Sequence, residues 1–248
     1  MSDDEGELIP DENTRVVWLG FSLSVDFYPA IKIARKSGLE FTTELSEIFE
    51  PEDVHLEGTQ QWAILGGGVC EGIRLLVEKR HVQIEVLRPV NGLEWYEQKI
   101  SALLRTFEGM FEPKSALHFN VTMSGLVDLP EGGDARSFLG GHVMLMDPRK
   151  LAVLERPLDI LGIRFRFPSI EEIDWDVDVR IESWGEDPHK VFINADADWD
   201  SNTTWDGEFV DTSVGRITLI SNFISKQIVQ FLRKPPINEE DLEDGGDE

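Results

Sequence analysis

Ile173-Asp174-Trp175-Asp176-Val177-Asp178-Val179-Arg180-Ile181-Glu182 and, a short way on, Val191-Phe192-Ile193-Asn194-Ala195-Asp196-Ala197-Asp198-Trp199-Asp200 decide the fold class. In the first run every odd position is apolar and every even one charged. In the second, Val191, Ile193, Ala195, Ala197 and Trp199 alternate with Phe192, Asn194, Asp196, Asp198 and Asp200. A period of two is the mark of a strand with one face in a core and one face in water. Gly185-Glu186-Asp187-Pro188 between them reads as a turn, so the two runs are expected to form a hairpin. One simple register then sets Asp178 opposite Asp196, Asp176 opposite Asp198 and Asp174 opposite Asp200. Carboxylates about 5 Å apart in water repel by about 0.8 kcal/mol before salt screening, so three facing pairs cost about 2 kcal/mol. A folded domain absorbs that, and the plain reading of the ladder is a solvated outer sheet face.

Outward from this hairpin the same alternation recurs. Val17, Leu19, Phe21, Leu23, Val25 and Phe27 predict a strand near the N-terminus. Pro29 is expected to open a helical segment closed by Gly38, with a second helix from Thr43 to Phe49 before Pro51. Strands are predicted at Gln61 to Leu65, Val69 to Glu78 and His81 to Leu87, the last two joined tightly at Lys79-Arg80. From Leu93 to Phe111, Tyr96, Ile100, Leu103, Leu104, Phe107, Met110 and Phe111 recur at three and four residue intervals, which predicts a helix with a broad apolar face.

The second half repeats the order. A strand from Ala116 to Leu129 is followed by a short helix from Asp134 to Leu139 ending at Gly140-Gly141. Further strands are predicted at Ile160 to Phe167, Ile173 to Ser183 and Val191 to Trp199. A long helix from about Thr212, capped by Asp211, to Lys234 closes the pattern. The fold class is therefore α+β: a duplicated strand-helix-strands-helix unit, residues 15–112 and 113–234, with two antiparallel sheets or one continuous curved sheet under long helices.

Charge is the most unusual feature of composition. The 248 residues carry 48 acids and 23 bases, a net charge of −25. Residues 1–14 hold six acids and no bases, and 235–248 hold seven acids and no bases, which leaves −12 for the body. The tails offer too little apolar surface to order themselves, so both are expected to be disordered. A body at −12 repels phosphate backbones, which argues against direct nucleic-acid binding. Partners recruited by charge are then basic proteins or cations, although acidity also serves solubility alone. The single cysteine, Cys70, excludes an intramolecular disulfide. With no apolar run near 20 residues and an acidic start, the chain reads as cytoplasmic and not membrane-spanning.

Most motifs of catalysis are missing. Gly66-Gly67-Gly68-Val69-Cys70-Glu71-Gly72 has neither the Lys-Ser/Thr of a P-loop nor the Gly-x-Gly-x-x-Gly order, and reads as a strand connection. Cys70 beside Glu71 reads as a core cysteine. His55, His81, His118, His142 and His189 show no paired metal spacing. Asp196-x-Asp198-x-Asp200 suggests a calcium loop, but Ser201 and Gly207 stand where that loop needs glycine and glutamate. Trp184, Trp199 and Trp205 gather near the hairpin, and Trp175 and Trp199 fall on its buried parity.

Glu94-Trp95-Tyr96-Glu97 opening a helix, Gly125-Leu126-Val127-Asp128-Leu129-Pro130 ending a strand, Trp175-Asp176-Val177-Asp178-Val179 and the Phe223-containing helix together resemble an uncharacterised, sporadically distributed bacterial family. The likeness covers roughly residues 70–234 in order of elements, and the N-terminal strand departs from it. It implies a fold and a setting among mobile or defence-related genes; it has no assigned reaction and transfers no site residue.

The sequence thus points to a non-enzymatic binding module that engages a basic protein through Asp174, Asp176, Asp178, Asp196, Asp198, Asp200 and the tails. One alternative is a DNA-mimicking inhibitor. Another is a metal-dependent enzyme using the aspartate ladder, since Ca²⁺ and Mg²⁺ favour hard oxygen ligands; no other cofactor is implied. The wide apolar helix faces also leave room for a second subunit.

Overall fold

The structure, a computed structural model, describes residues 15–57, 61–130, 132–153 and 155–234. Both acidic tails lie outside the described residues, so the expectation of disorder there goes without a structural answer. What is described is an α+β fold built on one antiparallel sheet of nine strands.

Chain order begins with β1 (Val16–Tyr28) and α1 (Arg35–Phe49). Four strands follow, β2 (Pro51–Glu57), β3 (Gln61–Gly66), β4 (Ile73–Glu78) and β5 (His81–Leu87), and then α2 (Leu93–Phe111). The second half opens with β6 (Ser115–Asp128) and α3 (Ala135–Ser137), which runs into a π-helical stretch, Phe138–Val143, before α4 (Pro148–Ala152). Next come β7 (Gly162–Phe167), β8 (Asp176–Ser183) and β9 (Lys190–Thr204). The last element is α5 (Gly207–Asn222), continued by a π-helical stretch, Phe223–Ile228, into α6 (Val229–Arg233).

Across the sheet the order is β2-β3-β4-β5-β1-β6-β9-β8-β7. In each half the last strand of the meander returns to pair with the first strand of that half, β5 with β1 and β9 with β6. β1 and β6 then join along the middle. One continuous sheet is formed, not two, because both central strands are 13 to 14 residues long and expose a full ladder to each other.

Strand parity decides the two faces. Phe21, Leu23, Val25 and Phe27 of β1, Phe119, Val121 and Met123 of β6, and Ala195, Ala197 and Trp199 of β9 are all buried. They meet the apolar faces of α2 (Tyr96, Ile100, Leu103, Leu104, Phe107) and α5 (Phe209, Val210, Val214, Ile217, Ile220) in one core. Aromatic edges lock this layer, with Phe27 at 5.2 Å from Phe107 and 5.9 Å from Trp205. Cys70 lies in the same core, and burial pushes its thiol pKa up.

Several expected boundaries moved. No helix starts at Pro29. Ile31 and Ile33 are buried around an exposed Lys32, and the Ile31 N–H donates to Lys79 C=O at 2.8 Å, so this segment is extended and tied to the β4–β5 turn. α1 is a single helix across Gly38, which does not end it. A Cβ at Gly38 would meet Leu56 Cδ2 at 2.8 Å and Trp62 Nε1 at 2.9 Å, so glycine serves a close approach to the sheet. β2 was missed altogether; it is an edge strand opening at a proline, with only Val54 and Leu56 turned to the core. The strand expected from Val69 begins at Ile73, after a 3₁₀ turn whose Gly68 sits at φ +56°. Gly140-Gly141 fall within the π-helical stretch and do not stop the helix. α5 starts five residues early, capped by Asp206, whose side chain accepts from the Phe209 N–H at 2.9 Å. Asp211, the expected cap, instead pairs with Arg105 of α2 at 2.6 Å.

Candidate functional site

The face opposite the helices is polar, and registers align its side chains in rows. Thr122 of β6 stands opposite Asp196 of β9, which stands opposite Asp178 of β8, which stands opposite Arg166 of β7. One row further, Asn120, Asp198 and Asp176 are in line. The next pairs His118 with Asp200 and, through β1, His118 with Asp26.

Four of the six aspartates therefore face each other as the hairpin register required, in the pairs Asp178·Asp196 and Asp176·Asp198. The third pair does not form. β8 begins at Asp176, so Asp174 lies before the ladder and its carboxylate sits 4.0 Å from Arg216 of α5. The cause is local: Ile170 and Ile173 bond to each other across a tight turn after Pro168, which uses up the residues that would have extended the strand. Asp200 stays on the ladder strand, fully exposed, with His118 Nδ1 at 3.7 Å.

Each carboxylate has a neighbour. Asn120 Nδ2 donates to Asp196 Oδ1 at 2.7 Å and to Asp198 Oδ1 at 2.9 Å, bridging the two. Thr122 Oγ1 donates to Asp196 Oδ1 at 2.8 Å. His118 Nε2 lies 3.1 Å from Asp198 Oδ1. The Ser169 N–H donates to Asp176 Oδ1. Asp178 alone on the ladder is gripped by a fixed cation, Arg164, with Nε to Oδ1 at 2.7 Å and Nη2 to Oδ2 at 2.6 Å. That hydrogen bonding holds the Asp178 carboxyl below the usual carboxylate range and raises Arg164 above its own.

These contacts divide the ladder electrically. Arg164 cancels the charge of Asp178, while Asn120, Thr122 and the Ser169 amide satisfy lone pairs without adding a counter-charge. Asp176, Asp196, Asp198 and Asp200 keep a net negative field on one surface. Among the described residues no group of three or more His, Cys, Asp or Glu is arranged to hold a metal ion.

The donors on β6 went unnoticed in the sequence. His118, Asn120, Thr122 and Ser124 share one parity of their strand, a signal that was present, but nothing local states that β6 pairs with a strand some 75 residues later. Arg164 and Arg166 were equally legible as the outer parity of β7. Of the tryptophans, Trp199 and Trp205 are buried, Trp175 stacks on Trp199 at 5.7 Å, and Trp184 stacks on Phe192 at 5.2 Å, where it covers an apolar residue on the polar parity.

Geometry defines an α+β protein with a helix-covered sheet face and a polar, carboxylate-bearing one. No protein-family model matches the chain, and no curated protein matches its sequence. Among the described residues, no helix is long and apolar enough to cross a membrane.

Proposed function

We propose that the protein is a non-enzymatic binding module that recognises a basic protein partner through its acidic sheet face and tails. One observation carries this reading: the cross-strand pairs Asp178·Asp196 and Asp176·Asp198 on the sheet face opposite the helices. Facing carboxylates repel, and a cationic partner relieves that repulsion on binding, which favours positively charged surfaces over neutral ones. Asp176, Asp196, Asp198 and Asp200 contribute most, since Arg164 already cancels Asp178. The acidic tails add reach and steering, a long-range effect that salt suppresses.

The two halves are read as a duplicated unit, supported by the matching return of β5 to β1 and of β9 to β6. The setting proposed is the bacterial cytoplasm, as an accessory of a defence or mobile-element system. A lysine-rich 20-residue peptide tests the charge reading directly. Its affinity by fluorescence anisotropy should fall steeply between 25 and 300 mM NaCl, and at least fivefold when Asp176, Asp178, Asp196 and Asp198 are changed to Asn. Equal affinity for variant and wild type overturns the proposal. Displacement of a captured natural partner by duplex DNA would move the reading to DNA mimicry.

A further inference from the structure

Strand registers set histidine and aspartate alternately across four strands of the polar face. His81 of β5 stands opposite Asp26 of β1, Asp26 opposite His118 of β6, and His118 opposite Asp200 of β9. His81 Nδ1 lies 2.7 Å from Asp26 Oδ1. His118 is placed between two aspartates of the ladder, with Nε2 3.1 Å from Asp198 Oδ1 and Nδ1 3.7 Å from Asp200 Oδ1. A neutral imidazole carries one N–H and donates to one of these carboxylates; the imidazolium carries two and serves both. What faces His118 is acidic on either side, Asp26 from β1 and Asp198 and Asp200 from β9, and its neighbour along β6 on this face is the uncharged Asn120. Beside His81 the signs are mixed, since Glu78, Lys79 and Arg80 at the β4–β5 turn share a hollow with it and Asp26. His118 is thus the ring whose gain of a proton puts a cation directly on the ladder.

We propose that His118 is a proton-operated switch on the acidic face: neutral, it leaves the ladder open to a basic partner, and protonated, it closes Asp198 and Asp200 into internal ion pairs. The inference rests on the proposed function and names how that same surface is regulated. Asp176, Asp196, Asp198 and Asp200 carry the net negative field, because Arg164 already cancels Asp178. One imidazolium touches two of these four, occupies the place of a partner's cation and repels it, so binding weakens as pH falls. Among side chains, histidine changes charge between about pH 5 and 8, whereas carboxylates, lysines and arginines ordinarily titrate outside that window. The other histidines lie off the ladder: His55 beside Asp53 on the edge strand β2, His142 stacked on Phe138, and His189 bonded to the Gly133 carbonyl.

The probe is the lysine-rich 20-residue peptide, titrated by fluorescence anisotropy into the full chain at pH 7.5 and pH 5.5 in 50 mM NaCl. Wild type should bind at least fourfold more weakly at pH 5.5. His118→Gln, which keeps an N–H for Asp198 and takes up no proton, should bind within twofold of wild type at pH 7.5 and change less than twofold between the two pH values. His118→Lys, a fixed charge at the same place, should bind weakly at both. His55→Gln, at the sheet edge, should keep the wild-type drop. In the free protein the ¹³Cε1 resonance of His118 should move between pH 7.5 and pH 5.5, which reports its protonation without any partner. Equal wild-type affinity at the two pH values, a full drop in His118→Gln, wild-type affinity of His118→Lys at pH 7.5, or a His118 resonance that stays fixed each overturns the inference and leaves the proposed function standing. Absence of binding at pH 7.5 overturns the proposed function and the switch with it.

Discussion

Arg164 and Asp178 are joined by two hydrogen bonds, at 2.7 and 2.6 Å, between neighbouring strands β7 and β8. The planar fork of the guanidinium matches both carboxylate oxygens, a geometry lysine could not reproduce. Hydrogen bonding from Arg164 lowers the Asp178 pKa and outweighs the upward push of burial, with the charges of Arg164 and Arg166 adding to it. The folded value therefore lies below the unfolded one of about 3.9. Stability from this pair is fully present above that value and is lost as pH falls through the folded pKa.

Arg164→Gln should then lower the melting temperature at pH 7 by about 1–3 °C, the range expected of a partly exposed pair in a chain of this size. The gap to wild type should narrow as pH falls from the ordinary carboxylate value through the lower folded pKa. Melts at pH 7 and pH 2.5 check this; a gap of equal size at both would mean that ionisation of Asp178 plays no part.

Asn120 bridges Asp196 and Asp198 with one amide group. Its replacement by Ala should cost about 1–2 kcal/mol in urea denaturation, the usual value of hydrogen bonds to charged acceptors less what water restores on a half-exposed face. In an Asp196→Asn/Asp198→Asn background the same substitution should cost less than half as much. The difference, taken as a double-mutant cycle, measures the bridge itself.

Gly38 lies inside α1, where Ala is favoured over Gly by about 1 kcal/mol in intrinsic helix propensity. The contacts at 2.8 and 2.9 Å that a Cβ would make with Leu56 and Trp62 oppose it. Overpacking in a core costs about 1–3 kcal/mol, so Gly38→Ala should be destabilising overall. A higher urea midpoint for the variant would show that the sheet can give way at this point.

Arg216 has 14% of its side chain exposed and lies with its guanidinium 4.8 Å from the ring of Phe119 and 4.6 Å from that of Trp199. Burial lowers its pKa, and Nη1 has no hydrogen-bond partner among the described residues. Packing of the stem and stacking should therefore outweigh the charge in keeping it. Arg216→Met should fall within about 1 kcal/mol of wild type, and Arg216→Ala should lose about 1–3 kcal/mol through the vacated space. Near-equal losses for Met and Ala in urea denaturation would instead assign the stabilisation to the cation.

Much of this fold was legible because strand and helix periods are local properties. α2 spans Leu93–Phe111 as its apolar spacing requires, and the Lys79-Arg80 turn and the register of Asp178 with Asp196 follow from residues close in sequence. Where reading failed, a neighbour distant in the chain had overruled the local signal. Gly38 looked like a helix stop until Trp62 came against it. Pro51 to Glu57 carries little local strand signal, because this edge strand turns Val54 and Leu56 inward from among polar residues. Asp211 looked like a cap, and Arg105, 106 residues away, holds it instead.

Residue order by itself determined the parity of each strand, and so which side chains could share a face, because successive side chains on a pleated backbone point to opposite sides whatever the neighbours are. Tertiary structure alone decided which strands distant in the chain lie side by side: it brought Asn120 and Thr122 of β6 to the aspartates of β9 and joined β1 to β6 along the middle of the sheet. Strand pairing depends on contacts summed over the whole sheet, and no single segment carries that sum.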